Sequence, residues 1–284
     1  MLQKKQKMAW TENAQRWSSY KPPLRPSLNE LKIIEGCLRE LKNKRGKDKP
    51  EALILGATPE YRDILARLKF NVTLADFNID SIKSMNLLLK YKGQRNEKII
   101  ITNWLKMRLP RNRFDVVLAD WSINNLPLFR DYGKLLSIIQ KSLKINGLFL
   151  CRMNVWSPKE KVRSISKIMK MYEQNPAEKF SFLQMLQDYS LASTRNKKDF
   201  TMSLEPFYHH NLPLAYARGE MNERQFEEFV WRFVQGKYRI KIFLTIPEKS
   251  ALEKLFKKYF KKVAQKYGQD YLYSRHQPIY ILGL

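Results

Sequence analysis

The sequence predicts an α/β protein built on a doubly wound, mostly parallel sheet, and three observations predict it. Between residues 50 and 154, short apolar runs alternate with stretches of helical periodicity, as strands joined by right-handed crossover helices do. The apolar runs are nearly unbroken, so the sheet is expected to be covered on both faces. The first run ends at Gly56, and 20 residues later the second ends at Asp76.

Taken in order, residues 1–49 read as an N-terminal helical arm. Lys21-Pro22-Pro23-Leu24-Arg25-Pro26 breaks it in two, because proline cannot continue a helix. Ser27 followed by Glu30 is a capping box opening a helix over 28–41, and 42–49 is a charged linker. Residues 50–156 form the core. Strands are expected at 52–55, 71–76, 98–102, 114–119 and 148–153, with helices at 59–68, 79–91 and 129–143. Ile82, Met85, Leu88 and Leu89 share one face of the second helix, and Leu135, Ile138, Ile139 and Leu143 one face of the third. Residues 157–236 read as a helical insertion or lid, with helices starting at Ser157-Pro158 and spanning 222–234. Residues 237–284 complete the sheet. They hold a short apolar segment at 237–246, then at 250–267 a basic amphipathic helix or a helix running into a strand, and a last strand at 278–282.

The chain of 284 residues is 44% hydrophobic and 12% aromatic, enough for a sizeable core and too aromatic for a disordered polymer. Cys37 and Cys151 have no metal-binding spacing and read as reduced thiols of a cytoplasmic protein; no metal site is expected. No apolar run is long enough to span a membrane, and MLQKKQKMAW lacks the apolar stretch of a secretory signal. The net charge is +26. Residues 1–50 carry 13 Lys and Arg against 5 Asp and Glu, and residues 237–284 carry 11 against 3, so the two ends hold most of the excess. That balance attracts phosphate-rich partners such as nucleic acid, or it is a solubilising surface.

In an open parallel sheet, ligands bind beyond the carboxyl ends of the strands. Those ends are Gly56-Ala57-Thr58, Asp76-Phe77-Asn78, Thr102-Asn103-Trp104 and Asp120-Trp121-Ser122. Gly56 permits close backbone approach, or only eases a turn. Asp76 can accept from both hydroxyls of a ribose, or cap a helix. Asn103 and Trp104 can hold and stack an adenine, although Trp104 and Trp121 also suit a core. Asp120 can accept from an ammonium group, or pair with a lysine.

Together LILGATPE, LADFN, TNW, FDVVLADWSINNL and LKINGLFLCRMN resemble the class I S-adenosylmethionine-dependent methyltransferases, over residues 50–154 with 278–284 as closing strand. The first motif keeps one glycine of the usual two or three. The resemblance implies a seven-stranded sheet of order 3-2-1-4-5-7-6 with strand 7 antiparallel. It also implies S-adenosylmethionine as cofactor, lined by Gly56, Ala57, Thr58, Glu60, Asp76, Phe77, Asn103, Trp104 and Asp120. Glu60, in the first turn of its helix, would suit a sulfonium and repel a pyrophosphate.

The acceptor is less legible. Enzymes that methylate base amino groups often carry adjacent prolines after strand 4, where this chain reads DWSINNLP, and neither cysteine lies where a pyrimidine C5 nucleophile would. A small molecule is therefore slightly favoured over RNA or DNA. The rivals are a non-catalytic nucleic-acid-binding protein of the same fold and a nicotinamide-dependent oxidoreductase, the latter disfavoured by the missing G-x-G-x-x-G. Asp120, His209 and His210 are the candidates for a catalytic base. The segment WTENAQRWSSYKPPLRPS, with Trp10 and Trp17, would fold over the cofactor mouth or pack on the sheet edge.

Overall fold

The computed structural model describes residues 2–46, 48–91, 97–156, 164–194, 196, 198–231 and 242–284. The arm is α1 (Leu2–Gln15) and α2 (Leu28–Arg45), and the expected capping box is formed, with Glu30 N donating to Ser27 Oγ at 3.1 Å and Ser27 N to Glu30 Oε2 at 2.8 Å. The core runs β1 (Glu51–Leu55), α3 (Pro59–Arg67), β2 (Asn71–Asp76), α4 (Ile79–Asn86), β3 (Glu97–Ile101), β4 (Phe114–Asp120), α5 (Arg130–Ser142) and β5 (Leu143–Arg152). The insertion holds α6 (Ile165–Gln174), α7 (Lys179–Thr194), β6 (Thr201–Ser203) and short helical turns up to Trp231. After β7 (Phe243–Thr245) come the helix Lys249–Tyr259, β8 (Lys262–Lys266) and β9 (Ile279–Gly283).

The main sheet has seven strands in the order β3-β2-β1-β4-β5-β9-β8, with β9 antiparallel to both neighbours. Counting only its own strands, this is the expected 3-2-1-4-5-7-6. Side chains alternate across it, as the two-residue period of a strand requires. Ala52, Ile54, Val72, Leu74, Val116 and Leu118 face a core built with α2, α3 and α4. Leu53, Leu55, Val117, Ala119, Phe149 and Cys151 face α5 and the helix Lys249–Tyr259. A third core joins α6, α7 and the following turns, and Ala9 of α1 is buried in it. The arm and the insertion therefore share an interior above the sheet's carboxyl edge. No described helix is long and apolar enough to cross a membrane.

Several boundaries differ from expectation for local reasons. α4 stops at Asn86 rather than 91, because the Asp63 carboxylate takes the N–H of Lys90 (3.1 Å) and Tyr91. β5 starts at Leu143 and bulges opposite Phe114 and Val116; a Cβ on Gly147 would lie 2.8 Å from Lys144 O, so only glycine fits there. Of the two readings of 250–267, the helix running into a strand is observed. Cover on both faces fails at the edge strand β3, where Ile99, Ile100 and Ile101 are exposed. The other edge, β8, carries exposed Lys262 and Lys266, side chains that discourage edge-to-edge pairing. The expected helix start at 157–158, the helix end at 232–234 and the apolar residues 237–241 lie outside the described residues.

Candidate active site

The first wall forms where β1 and β2 end side by side. Gly56 N–H donates to Ala75 O at 2.9 Å, one residue past β1, and Gly56 sits at φ +102°, a region other residues rarely adopt. A Cβ there would come within 3.4 Å of Ser122 Oγ and 3.9 Å of Asp76 Oδ2. Asp76 is 9% exposed; its Oδ1 accepts from Asn78 N–H at 2.8 Å, while Oδ2 is the oxygen nearest Gly56. Burial pushes this carboxyl up to about 6, against the pull of the Asn78 and Phe77 backbone N–H groups. Trp104 Nε1 donates to Ala75 O at 2.6 Å, fixing the indole beside the end of β2.

The second wall is a buried charge network. Arg152, at the end of β5, donates from Nε to Asp120 Oδ1 at 2.7 Å and from a terminal nitrogen to Pro23 O at 2.9 Å, with Glu30 Oε2 at 3.4 Å. Its guanidinium lies 5.4 Å from the centre of the Trp121 ring. Burial opposes the Arg152 charge, but Asp120 and Glu30 outweigh it and hold it firmly protonated. Burial also raises the Glu30 carboxyl, against the pull of Arg152 and of the Tyr271 hydroxyl, which donates at 2.6 Å. The roof comes from the arm: Trp10 Nε1 donates to Asn125 Oδ1 at 3.1 Å, and Asn78 Nδ2 donates to Lys7 O at 2.9 Å. These walls enclose an empty volume of about 670 Å³, part of it open to solvent.

Gly56, Ala57, Thr58, Asp76, Phe77, Trp104 and Asp120 all line this cavity. Several expected residues have partners or positions of their own. Asp120 pairs through Oδ1 with an arginine, Arg152, rather than a lysine, while its Oδ2 accepts from Thr58 Oγ1 at 3.4 Å. Glu60 is not among the lining residues; it pairs with Arg25 and accepts from Trp17 Nε1 at 3.1 Å, so it anchors the arm. Asn103 closes its own turn, its Oδ1 accepting from Leu105 N–H at 2.9 Å. His209 and His210 are exposed on the turn Phe207–Asn211, whose inward side chains are Phe207 and Tyr208. The arm does lie over the mouth, with Trp10 and Trp17 in the lining. Arg152 and Asn125 also line the cavity, and the sequence reading does not single them out. For Arg152 a signal existed, since a charge inside the apolar run LFLCRM must find a buried partner.

No protein-family profile and no curated protein matches the chain in sequence. Solved structures do match in shape. A Rhodobacter sphaeroides chain, described provisionally as a zinc-dependent alcohol dehydrogenase, is 15% identical over 98% of both chains, with a TM-score of 0.57. A Pyrococcus horikoshii protein is 14% identical over 89% of this chain and 91% of its own, with a TM-score of 0.50. A Methanosarcina mazei protein described as a SAM-dependent methyltransferase is 11% identical over 85% and 96%, at 0.47. At such identities the likeness concerns the fold, and the strand order decides which fold it is. The chain has the class I methyltransferase fold. Among the described residues, this methyltransferase fold holds no group of three or more His, Cys, Asp or Glu arranged to ligate a metal.

One expected result follows from the geometry at Gly56. Gly56→Ala should cost about 1–3 kcal/mol of stability for the forced backbone and weaken any ligand seated between β1 and β2. Urea denaturation together with ligand titration checks both. A variant as stable and as well-binding as wild type would remove Gly56 from the site.

Proposed function

We propose that the protein is an S-adenosylmethionine-dependent methyltransferase acting on a small molecule. The observation that carries this reading is the pocket between Gly56 and Asp76, a glycine at φ +102° facing a buried carboxylate oxygen at the carboxyl ends of β1 and β2. Asp76 would accept from the ribose hydroxyls, and Phe77, Met85 and Trp104 offer apolar surface for the base. Among the described residues, the charged groups of the lining are Asp76, Asp120 and Arg152, so with both carboxylates ionised this wall carries one net negative charge, which suits a sulfonium cation. When bound, the cofactor supplies an electrophilic methyl on positively charged sulfur. The protein's part is to fix the methyl donor and to exclude water with Trp10 and Trp17.

The placement of the C-terminal lysines supports a small acceptor over nucleic acid. Lys262 and Leu148 both pair with Gly283, whereas Lys266 and Arg152 both pair with Ile279. Lys262 therefore lies at the end of the sheet away from the cavity. Lys257, Lys258 and Lys261, in the last turn and exit of the preceding helix, lie with it. With Glu60 paired to Arg25, rejection of pyrophosphate no longer rests on that residue, so the oxidoreductase alternative is tested directly. Calorimetry should show S-adenosylmethionine and S-adenosylhomocysteine binding with NAD and NADP silent. Binding of a nicotinamide cofactor in place of S-adenosylmethionine would overturn the proposal.

A further inference from the structure

We infer, resting on the methyltransferase reading, that the methyl acceptor is an uncharged aromatic molecule whose nucleophile is a nitrogen lone pair. A second cavity adjoins the first and shares Trp10, Trp17, Leu24 and Trp121 with it. Its empty volume, counting the part open to solvent, is about 640 Å³. It lies under the arm, and its far wall comes from α7 and the insertion, where Leu183, Leu204 and Tyr208 face it.

The chemistry of this wall is uniform. Among the described residues, none that lines it is Lys, Arg, His, Asp or Glu. Among the described residues, Trp10, Trp17, Tyr20, Trp121 and Tyr208 line it, aromatic side chains suited to contact with an aromatic ring. Beside Asn13, which accepts from the Tyr20 hydroxyl, its polar wall holds a relay of neutral amides. Asn154 Nδ2 donates to Gln184 Oε1 at 3.4 Å, Gln184 Nε2 to Gln187 Oε1 at 2.9 Å, and Gln187 Nε2 to the Tyr208 hydroxyl at 3.5 Å. Each glutamine Nε2 carries two hydrogens and spends one on the next member, so the relay can orient a neutral ligand by donation. A carboxylate or phosphate would lose its water here and gain no counter-charge, a cost neutral ligands avoid.

The same wall constrains the nucleophile. Among the described residues, this chamber has no carboxylate or imidazole to take a proton, and Asp120 next door is held by Arg152. The acceptor must attack with a lone pair already free at neutral pH, as a ring nitrogen or an aryl amine can. In the transfer, that lone pair forms the bond to the methyl carbon. The carbon–sulfur bond breaks, and its electron pair stays on sulfur as the thioether. A ring nitrogen keeps the resulting positive charge, whereas an aryl amine releases one proton to water.

The test uses the full chain at pH 8 with quinoline, naphthalene-2-carboxylate and a 12-nucleotide single-stranded RNA as probes, each titrated with S-adenosylhomocysteine present. Tryptophan fluorescence and calorimetry report binding, and mass spectrometry with S-adenosylmethionine reports methylated quinoline. Quinoline should bind at least tenfold more tightly than the carboxylate. Leu204→Trp, which fills the chamber outside the first cavity, should lose quinoline and keep S-adenosylmethionine. Gln187→Glu, a near-isosteric change, should weaken quinoline at least fivefold if Leu204→Trp does not fold. Equal or tighter binding of the carboxylate or the RNA, with S-adenosylmethionine bound normally, overturns the acceptor class alone. Failure to bind S-adenosylmethionine overturns the reading beneath it.

Discussion

Replacing Arg152 with leucine should destabilise the protein by about 3–5 kcal/mol, the usual cost of leaving buried charge without its partner. Arg152 is 0% exposed, and both carboxylates it serves, Asp120 and Glu30, have buried side chains. Leucine fills part of the volume but abandons two negative groups, one on β4 and one on α2. Burial already favours protonation of Glu30, and loss of Arg152 removes the main force opposing it. The double variant Arg152→Leu with Glu30→Gln should therefore recover part of the loss, a non-additivity that a double-mutant cycle measures. Urea midpoints provide the readout. A single Arg152→Leu variant within about 1 kcal/mol of wild type would mean that the network adds little.

Asp76→Asn should move affinity and stability in opposite directions. Removing the charged acceptor should weaken S-adenosylmethionine by about 1.5–3 kcal/mol, roughly ten- to a hundredfold. The unliganded protein should gain stability at pH 8. Because burial raises Asp76 from 3.8 to about 6, its ionised form is disfavoured by folding. The cost is present above about pH 6, shrinks as pH falls through that value, and is gone below the unfolded value of 3.8. At about 1.4 kcal/mol per pH unit, the gain is at most about 3 kcal/mol. Wild-type affinity should correspondingly fall as pH drops below about 6, and the asparagine variant should lack that step. Calorimetry from pH 5 to 8 decides it; a flat wild-type profile would separate Asp76 from the ligand.

What the sequence revealed and what it hid divide along physical lines. β1, β2 and β4 were legible because each carries an apolar stretch that stops at a glycine or an aspartate, and Gly56 and Asp76 follow from where those stretches stop. Pro59 marked a helix start by its fixed backbone angle, and the Ser27–Glu30 pair marked another by local hydrogen bonds. Glu60, in the first turn of α3, and Asn103, just past β3, both lie on the ligand side of the sheet, yet their side chains turn to Arg25 and to the Leu105 N–H, choices that only the folded chain makes. The second chamber was illegible for the same reason in stronger form. Its walls come from α1, α7 and β7, which nothing in their spacing brings together. The histidine doublet drew attention by rarity, but the turn that carries it buries Tyr208 instead.

The position of β9 has a consequence for synthesis. This strand, last in sequence, lies between β5 and β8 and is buried along its whole length. A ribosome delivers β1 to β5 first, then the entire insertion, then β8, and only afterwards the strand that pairs with β5. For that interval the nascent chain carries β5 with an open inner edge and with Leu148 and Leu150 uncovered on it, the kind of edge other chains add to. Folding cannot be completed strand by strand as the polypeptide emerges. The sheet closes from its two ends, late, through the longest-range pairing it contains, and the half-made product is the species that needs protection from its neighbours.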